Sequence, residues 1–351
     1  MLAAAACAPA PPPATTPRPA APTSGPRLIE YPFVTLAERE GKILGLVEDL
    51  VIEERDDDWN FNFNDARDMD VDDAGRIYVH DSERRRIQVY APDGSFANSF
   101  GTAAGVSPFH FGWLVVAGGR LAFSTGTAIA VWSLDGEYLY DRSLTRSAFN
   151  PPVYGTDDGA LIGSFILVVD EGGSSLRVER IALDEDESLS YADIPRARRS
   201  RLRPTARAAF AAVASGAVYL TAGDEYRVRA FDAQGAESWI LQVDAPRPTP
   251  DGEPLPALAG AQGRGLAAIG RGYPIRADGR GNVYVFPLPP EGWDRPVVPV
   301  DVYSPDGERL FAGMMPSRSW LRARQEFVYG IELDDASGRQ RIVRYRLITP
   351  F

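Results

Sequence analysis

The chain has 351 residues, of which 44% are hydrophobic and 10% aromatic, and it contains 33 glycines and 29 prolines. This composition fits a globular, turn-rich β protein better than a disordered chain, and it allows one large domain or two smaller ones. The formal net charge of −11 argues against nucleic acid as a partner, because such binding draws its affinity from neutralised phosphates.

Residues 1–26 differ in character from residues 27–351. They are rich in Ala, Pro and Thr and have no pattern that builds a core, which is typical of an extended tether ahead of a folded domain. Cys7 is the only cysteine, so no intrachain disulfide can form.

The stretch Ala4-Ala5-Ala6-Cys7 resembles the cleavage site of bacterial lipoproteins, in which the cysteine is lipidated. Ala4 stands where leucine is usual, and neither a basic nor a long apolar segment precedes it. The resemblance implies lipidation of Cys7 and a place in a bacterial cell envelope, periplasmic or anchored to the outer membrane. The alternative is an incidental cysteine in an Ala-rich leader. No later stretch of the sequence has enough consecutive apolar residues to form a transmembrane helix, so a lipid anchor would be the only attachment to the membrane.

Beyond residue 26 a short unit recurs, in which glycine closes a tight turn and an apolar strand follows. The five clear copies are Gly75-Arg-Ile-Tyr-Val, Gly119-Arg-Leu-Ala-Phe, Gly159-Ala-Leu-Ile, Gly216-Ala-Val-Tyr-Leu and Gly281-Asn-Val-Tyr-Val. A sixth, starting at Glu326, lacks the turn glycine. A second turn follows in most copies, as in Asp93-Gly94 and Asp306-Gly307. Each unit is therefore two hairpins, and repeated four-stranded units indicate an all-β propeller.

The first copy carries a family resemblance. The stretches Asp70-Val-Asp-Asp-Ala-Gly-Arg-Ile-Tyr-Val-His-Asp81 and Arg86-Ile-Gln-Val-Tyr-Ala-Pro-Asp-Gly94 resemble an NHL repeat, and the copy from Asp278 is a good second match. The resemblance implies a six-bladed β-propeller with four-stranded antiparallel blades, a fold found in many bacterial secreted and lipid-anchored proteins. It also implies that Asp81 and Arg86 form a structural ion pair across a hairpin.

The alternating aspartates Asp68, Asp70 and Asp72 raise the question of a calcium loop. Such a loop needs further spaced oxygen ligands and a terminal glutamate, which the following residues do not supply. We therefore interpret the three residues as a strand that runs into a turn, and no metal is assigned to them.

The ring must also close. The strand pair at residues 327–332 and 341–348 has no outer partner in its own unit, and residues 28–52 contain β-like segments without a blade. We expect an N-terminal strand to complete the sixth blade. The pattern leaves two choices open, Leu28 to Leu36 and Ile43 to Ile52.

Signals for catalysis are scarce. With His80 and His110 as the only histidines, a histidine-rich metal site is hard to assemble. A lactonase-like cation site could be imagined from Asn64, Asp68 and Asp157, but no surrounding motif supports it. The sequence has no nucleophile-elbow, Cys–His or phosphate-loop motif, so no catalytic residue and no cofactor is predicted.

One connection in this acidic protein is rich in arginine, from Arg196 to Arg207. Guanidinium groups bind carboxylate and phosphate in forks, so this loop is a candidate ligand-binding site; the candidate residues are Arg196, Arg198, Arg199, Arg201 and Arg203. Trp113, Trp293 and Tyr273 could line the same face. The alternative is a solvated connector that balances the acidic run at 184–187.

The sequence thus favours a monomeric, non-enzymatic extracytoplasmic propeller that binds or scaffolds an unknown protein, or an anionic small molecule or polymer. The alternative is a metal-dependent hydrolase or lyase with its site at the channel mouth. The longer excursions at 53–66, 102–112, 194–208, 245–273 and 286–298 are expected on one rim, where we expect the ligand.

Overall fold

In the computed structural model, the structure describes residues 25–351 apart from 64, 102–111, 125–127, 145–149, 170–172, 186, 197–207, 223–224, 246–272, 288–292, 294 and 335. The described chain begins with three elements outside the repeats. They are β1 (Arg27–Pro32), the short helix α1 (Leu36–Arg39) and β2 (Gly45–Glu53).

The remaining strands form six antiparallel sheets, each taking four consecutive strands except the last. Blades 1 to 3 are built from β3 (Ala66–Val71), β4 (Ile77–Asp81), β5 (Arg86–Tyr90), β6 (Phe96–Phe100), β7 (Leu114–Ala117), β8 (Arg120–Ser124), β9 (Ala128–Ser133), β10 (Tyr138–Ser143), β11 (Asn150–Gly155), β12 (Ala160–Val169), β13 (Gly173–Ala182) and β14 (Ser188–Arg196).

Blades 4 to 6 continue the same order. They are built from β15 (Ala208–Ala212), β16 (Val218–Ala222), β17 (Tyr226–Phe231), β18 (Glu237–Asp244), β19 (Ile275–Ala277), β20 (Val283–Val285), β21 (Val297–Tyr303), β22 (Arg309–Pro316), β23 (Arg322–Arg324), β24 (Phe327–Leu333) and β25 (Gln340–Ile348). The prediction of an all-β, six-bladed propeller is confirmed.

The first strand of each blade faces the central channel, where β3, β7, β11, β15 and β19 contact one another in ring order and β23 contacts β3. The core lies between blades rather than within them. Six buried apolar clusters each join two neighbouring blades, because one sheet cannot cover both of its own apolar faces.

The first turn of a blade needs a left-handed residue. Gly75 and Gly281 adopt φ of +81° and +85° there, a region open to glycine at little cost. In blade 6 the turn shrinks to Gln325 and Glu326, and Gln325 takes φ of +53°. This explains why the sixth repeat has no turn glycine.

The ring closes through β2. It pairs antiparallel with β25, from Gly45 opposite Ile348 to Glu53 opposite Arg341, and so becomes the outer strand of blade 6. Of the two choices that the sequence left open, the segment at 43–52 supplies the closing strand. The segment at 28–36 does not close the ring, because β1 adds in parallel to β18 as a fifth strand of blade 4.

Between these two strands the chain crosses blade 5. Leu44 N–H donates to the Met314 carbonyl at 2.8 Å, and Met314 N–H donates to the Lys42 carbonyl at 2.8 Å. A single N-terminal segment, residues 27–53, therefore contacts three consecutive blades from the outside.

A buried ion pair fastens this segment. The fully buried Arg39 donates to the two carboxylate oxygens of Asp301 at 2.6 and 3.0 Å and to the Val300 carbonyl at 3.1 Å. Tyr226 of blade 4 donates its hydroxyl to the same carboxylate at 2.8 Å. Blades 4 and 5 and the N-terminal segment thus meet at one carboxylate.

The two rims of the ring differ. We call the rim that carries the turns between first and second and between third and fourth strands, such as 72–76 and 91–95, the short-turn rim. The strand ends that flank the longer excursions share the opposite, long-loop rim, as the antiparallel order requires. Within the described ranges, no helix has the length and apolarity to cross a bilayer.

Candidate ligand site in the central channel

The channel contains a cavity of about 220 Å³ on the side of the short-turn rim. Inner-strand residues of all six blades form its wall, together with first-turn residues of every blade except blade 2. The charged and hydroxyl-bearing side chains among its lining residues are Asp70, Asp73, Tyr154, Asp157, Arg276, Asp278, Arg322 and Arg324.

Three of these occupy the same register position in their blades. Asp70, Arg276 and Arg322 lie on inner strands, each opposite a tyrosine of the second strand, namely Tyr78, Tyr284 and Tyr329. In blades 1, 5 and 6 the repeat therefore delivers one charged side chain to the same level of the channel.

Arg322 connects three blades through its guanidinium group. Its Nη2 lies 3.1 and 3.2 Å from the two carboxylate oxygens of Asp68 and donates to the Leu114 carbonyl at 3.0 Å, while its Nε lies 3.4 Å from Asp70. Backbone amides add to this, since Leu114 N–H donates to Asp68 at 2.9 Å and Val116 N–H to Asp70 at 2.7 Å. Both inner-strand carboxylates of blade 1 are therefore held by donors.

Arg276 is placed differently. Its side chain is 6% exposed, and its Nε and Nη1 donate to the carbonyls of Trp320 and Ile275, each at 3.0 Å. Within the described part of the chain, no carboxylate forms an ion pair with it. Two neutral acceptors hold the side chain, and its full positive charge remains beside the cavity.

Tyr154 of blade 3 lines the same cavity from another side of the channel. Its hydroxyl donates to the Phe210 carbonyl at the long distance of 3.3 Å. Burial raises the pKa of this hydroxyl, against the influence of the charges on Arg276 and Arg322, so it is neutral at pH 7. Burial lowers the pKa of Arg276, and the positive charge of Arg322 lowers it further. Two like charges and a neutral hydroxyl thus converge on the channel.

Asp68 and Asp70 share one guanidinium group between two carboxylates. Burial raises the pKa of both, and the negative charge of Asp68 raises the pKa of Asp70 further. The two groups interact through Arg322, so they titrate as a coupled pair.

This arrangement predicts a pH dependence. A carboxyl with a raised pKa holds its proton more tightly in the folded than in the unfolded chain, so its stabilising contribution is present below the ordinary pKa of 3.8 and is lost as pH rises through the raised pKa. Carboxyl-carbon NMR should show Asp68 and Asp70 titrating above 3.8. Asp184, bonded to Arg120 and Tyr140, serves as the reference, with a pKa of about 2. Titration of the channel pair at or below 3.8 would contradict this prediction.

The cavity mouth has its own ion pairs. Arg324 donates to Asp73 and lies 3.5 Å from Asp157. Asp278 accepts from the backbone amides of Arg280 and Asn282, each at 2.9 Å, and so builds its own turn. Each of these carboxylates therefore has a donor.

The structure places the sequence-predicted residues as follows. Arg196 is the last residue of β14, whereas Arg198, Arg199, Arg201 and Arg203 lie outside the described residues, as do Cys7, Asn64 and His110. The arginine-loop prediction therefore stays a prediction.

Aromatic and histidine candidates lie in packing positions. Trp113 and Tyr273 are each 2% exposed and belong to interblade clusters. Trp293 donates its indole N–H to the Val297 carbonyl at 2.7 Å. His80 is fully buried on β4, edge-on to Phe123. The expected pair of Asp81 and Arg86 is confirmed at 3.2 Å.

Tyr154, Arg276 and Arg322 were not predicted from the sequence. One signal was available in the repeat itself. Asp70 and Arg276 each stand two residues before the aspartate that starts the first turn, Asp72 and Asp278. A charged residue at this position of a propeller repeat marks the channel, because inner strands face the axis.

No family model and no curated protein matches the sequence. Among solved structures, a DUF4221 family member from Bacteroides vulgatus superposes with a TM-score of 0.53 at 12% identity, covering 87% of this chain and 98% of that one. A Bacteroides fragilis protein described as a candidate exported protein has a TM-score of 0.52 at 10% identity, covering 92% and 99%. A gluconolactonase from Xanthomonas campestris has a TM-score of 0.40 at 16% identity, covering 78% and 82%. The sheet topology defines the class of the protein, a six-bladed β-propeller, and the two Bacteroides structures share this fold.

Proposed function

We propose that the protein is a non-enzymatic extracytoplasmic propeller that binds an anionic ligand or a protein partner. The observation that supports this most is the position of Arg322. Its guanidinium group contacts both Asp68 and Asp70, and Asp68 is one of the three residues, with Asn64 and Asp157, from which a lactonase-like cation site could be built. Arg322, a cation that belongs to the protein, therefore takes the place of a metal ion at the carboxylates of Asp68 and Asp70.

The proposed location rests on the sequence and on one structural relative. The resemblance of Ala4 to Cys7 to a lipoprotein cleavage site supports a lipid anchor, the NHL-like repeat is common in secreted bacterial proteins, and one similar structure is described as a candidate exported protein. The strand β1 starts beside Asp306 on the short-turn rim, where Arg27 donates to its carbonyl. A tether of residues 1–26 would therefore join the ring at that rim.

The arginine loop expected from the sequence remains part of the proposal. Arg196, Arg198, Arg199, Arg201 and Arg203 would attract an acidic partner or polymer, and the attraction would weaken with salt because exposed charges are screened over about 10 Å at 0.1 M. Long loops on a rigid scaffold are a usual place for binding.

Metal content tests this proposal against the hydrolase or lyase alternative. We expect protein purified without chelator to hold no stoichiometric divalent metal by elemental analysis, and its thermal midpoint to be unchanged by EDTA, because Arg322 already contacts both channel carboxylates. One tightly held metal per chain, lost in Asp68→Asn but retained in a control Asp193→Asn, would overturn the proposal. Asp193 is a suitable control because it pairs with Arg177 at the surface.

A further inference from the structure

We propose that the channel cavity binds a small organic oxyanion, a carboxylate or a phosphate monoester, through the guanidinium groups of Arg276 and Arg322 and the hydroxyl of Tyr154. This inference rests on the proposed binding function and assigns it a site and a ligand class. The site lies on the short-turn side of the channel, whereas β14 and β15, which flank the arginine loop, adjoin that loop at the long-loop rim.

The first argument is the charge on Arg276. A guanidinium group stays protonated in proteins, and a buried charge is costly unless it is paired. Arg276 is 6% exposed and has only carbonyl acceptors among the described residues, and the positive charge of Arg322 acts on it as well. An oxyanion bound in the cavity would supply the negative charge that the described residues do not provide to Arg276.

The second argument is that the negative charges of the same cavity already have donors. Asp70 accepts from Val116 N–H and lies against Arg322, Asp278 accepts from its own turn, and Asp73 and Asp157 share Arg324. A cationic ligand would have to break these contacts. An anion, by contrast, would meet the guanidinium group of Arg276, which no described carboxylate pairs with. It would also meet the hydroxyl of Tyr154, whose one hydrogen bond to a described residue is 3.3 Å long.

The third argument is size. The cavity of about 220 Å³ lies below the ~300–1,000 Å³ that is usual for drug-sized ligands. It suits a single small acid and excludes a folded segment or the body of a polymer. Arg324, at the mouth, would be the first cation that an entering anion meets.

Isothermal titration calorimetry at low salt tests the site. The probes are succinate, D-glucuronate and inorganic phosphate, with glucose as the neutral comparison. We expect at least one oxyanion to bind saturably with one site per chain, and glucose not to bind. Arg276→Gln should weaken that binding at least tenfold, and Tyr154→Phe several-fold. Arg280→Gln is the matched control, because Arg280 stands on the same turn and does not line the cavity.

Thermal unfolding without probe checks that each variant folds. Tyr154→Phe retains the packed ring, so it keeps the test decisive if Arg276→Gln does not fold. Failure of every oxyanion to bind the wild type would overturn the inference. So would binding that Arg276→Gln and Tyr154→Phe leave unchanged; if Arg198, Arg199 and Arg201→Ser then abolishes it, the binding function stands and its site is the long-loop rim. A stoichiometric metal in the elemental analysis would remove the binding function itself.

Discussion

A chain that lacks residues 1–53 is expected to lose cooperative folding and to aggregate. Such a chain has no β2, so β25 becomes an unpaired edge along the register from Arg341 to Ile348, and open strand edges are templates for aggregation. It also loses Leu44, Ile52 and Arg39, which are buried between blades or against Asp301. Circular dichroism during heating and light scattering measure both effects.

The control is a chain that lacks only residues 1–26. It retains β1, α1 and β2, so its thermal midpoint should equal that of the full chain. A third chain, lacking residues 1–33, loses β1 alone and should be destabilised to an intermediate degree. Equal midpoints for the chains that begin at residues 27 and 54 would show that β2 does not close the ring.

Replacing Arg39 by alanine should lower the free energy of unfolding by about 3–5 kcal/mol, because it leaves Asp301 as an uncompensated buried charge. The two side chains are 0% and 1% exposed and are joined by two hydrogen bonds. Tyr226 would still donate a hydrogen bond to the carboxylate, which limits the loss in the free energy of unfolding. Urea unfolding measures it.

Arg177→Ala is the matched control for this prediction. Arg177 and Asp193 form the same two-bond arrangement at 2.6 and 2.7 Å, but their side chains are 27% and 47% exposed. An exposed pair contributes only about 0.2–1 kcal/mol. Losses of similar size in both variants would mean that the Arg39 pair is not an essential joint between the N-terminal segment and blades 4 and 5.

The closure and the candidate site depend on each other. Arg322 lies on the inner strand of blade 6, the blade that β2 completes, and its partners Asp68 and Leu114 lie on blades 1 and 2. The contacts of Arg322 in the channel therefore join blade 6 to blades 1 and 2, across the point where the ring closes. Loss of β2 should disturb the cavity as well as the outer edge.

The blade pattern was predictable because its causes are local. Gly75 and Gly281 mark positive-φ turns, and the alternating strands beside them pair within a few residues along the chain, so turn chemistry and strand period suffice. The pair of Asp81 and Arg86 was predictable for the same reason, since the two residues face each other across one hairpin.

The closing strand could not be chosen from the sequence, because the segments at 28–36 and 43–52 both alternate like edge strands. Only the tertiary structure decides between them. Arg39 must reach Asp301 of blade 5, and Lys42 and Leu44 must bond to Met314. Those contacts leave β1 on blade 4 and carry β2 to blade 6.

The strands per unit and their turns were predictable from the residue pattern, because they follow from contacts between neighbours in the chain, and the NHL-like repeat implied six blades. The channel site depends on the closed ring and could not be predicted in this way. Arg322 and Asp68 are 254 residues apart in sequence, and Tyr154 joins Arg276 from two blades away. Side chains of different blades meet only at the axis of a closed ring, so no local pattern shows which of them neutralise one another and which, like Arg276, keep an unpaired charge within the described structure.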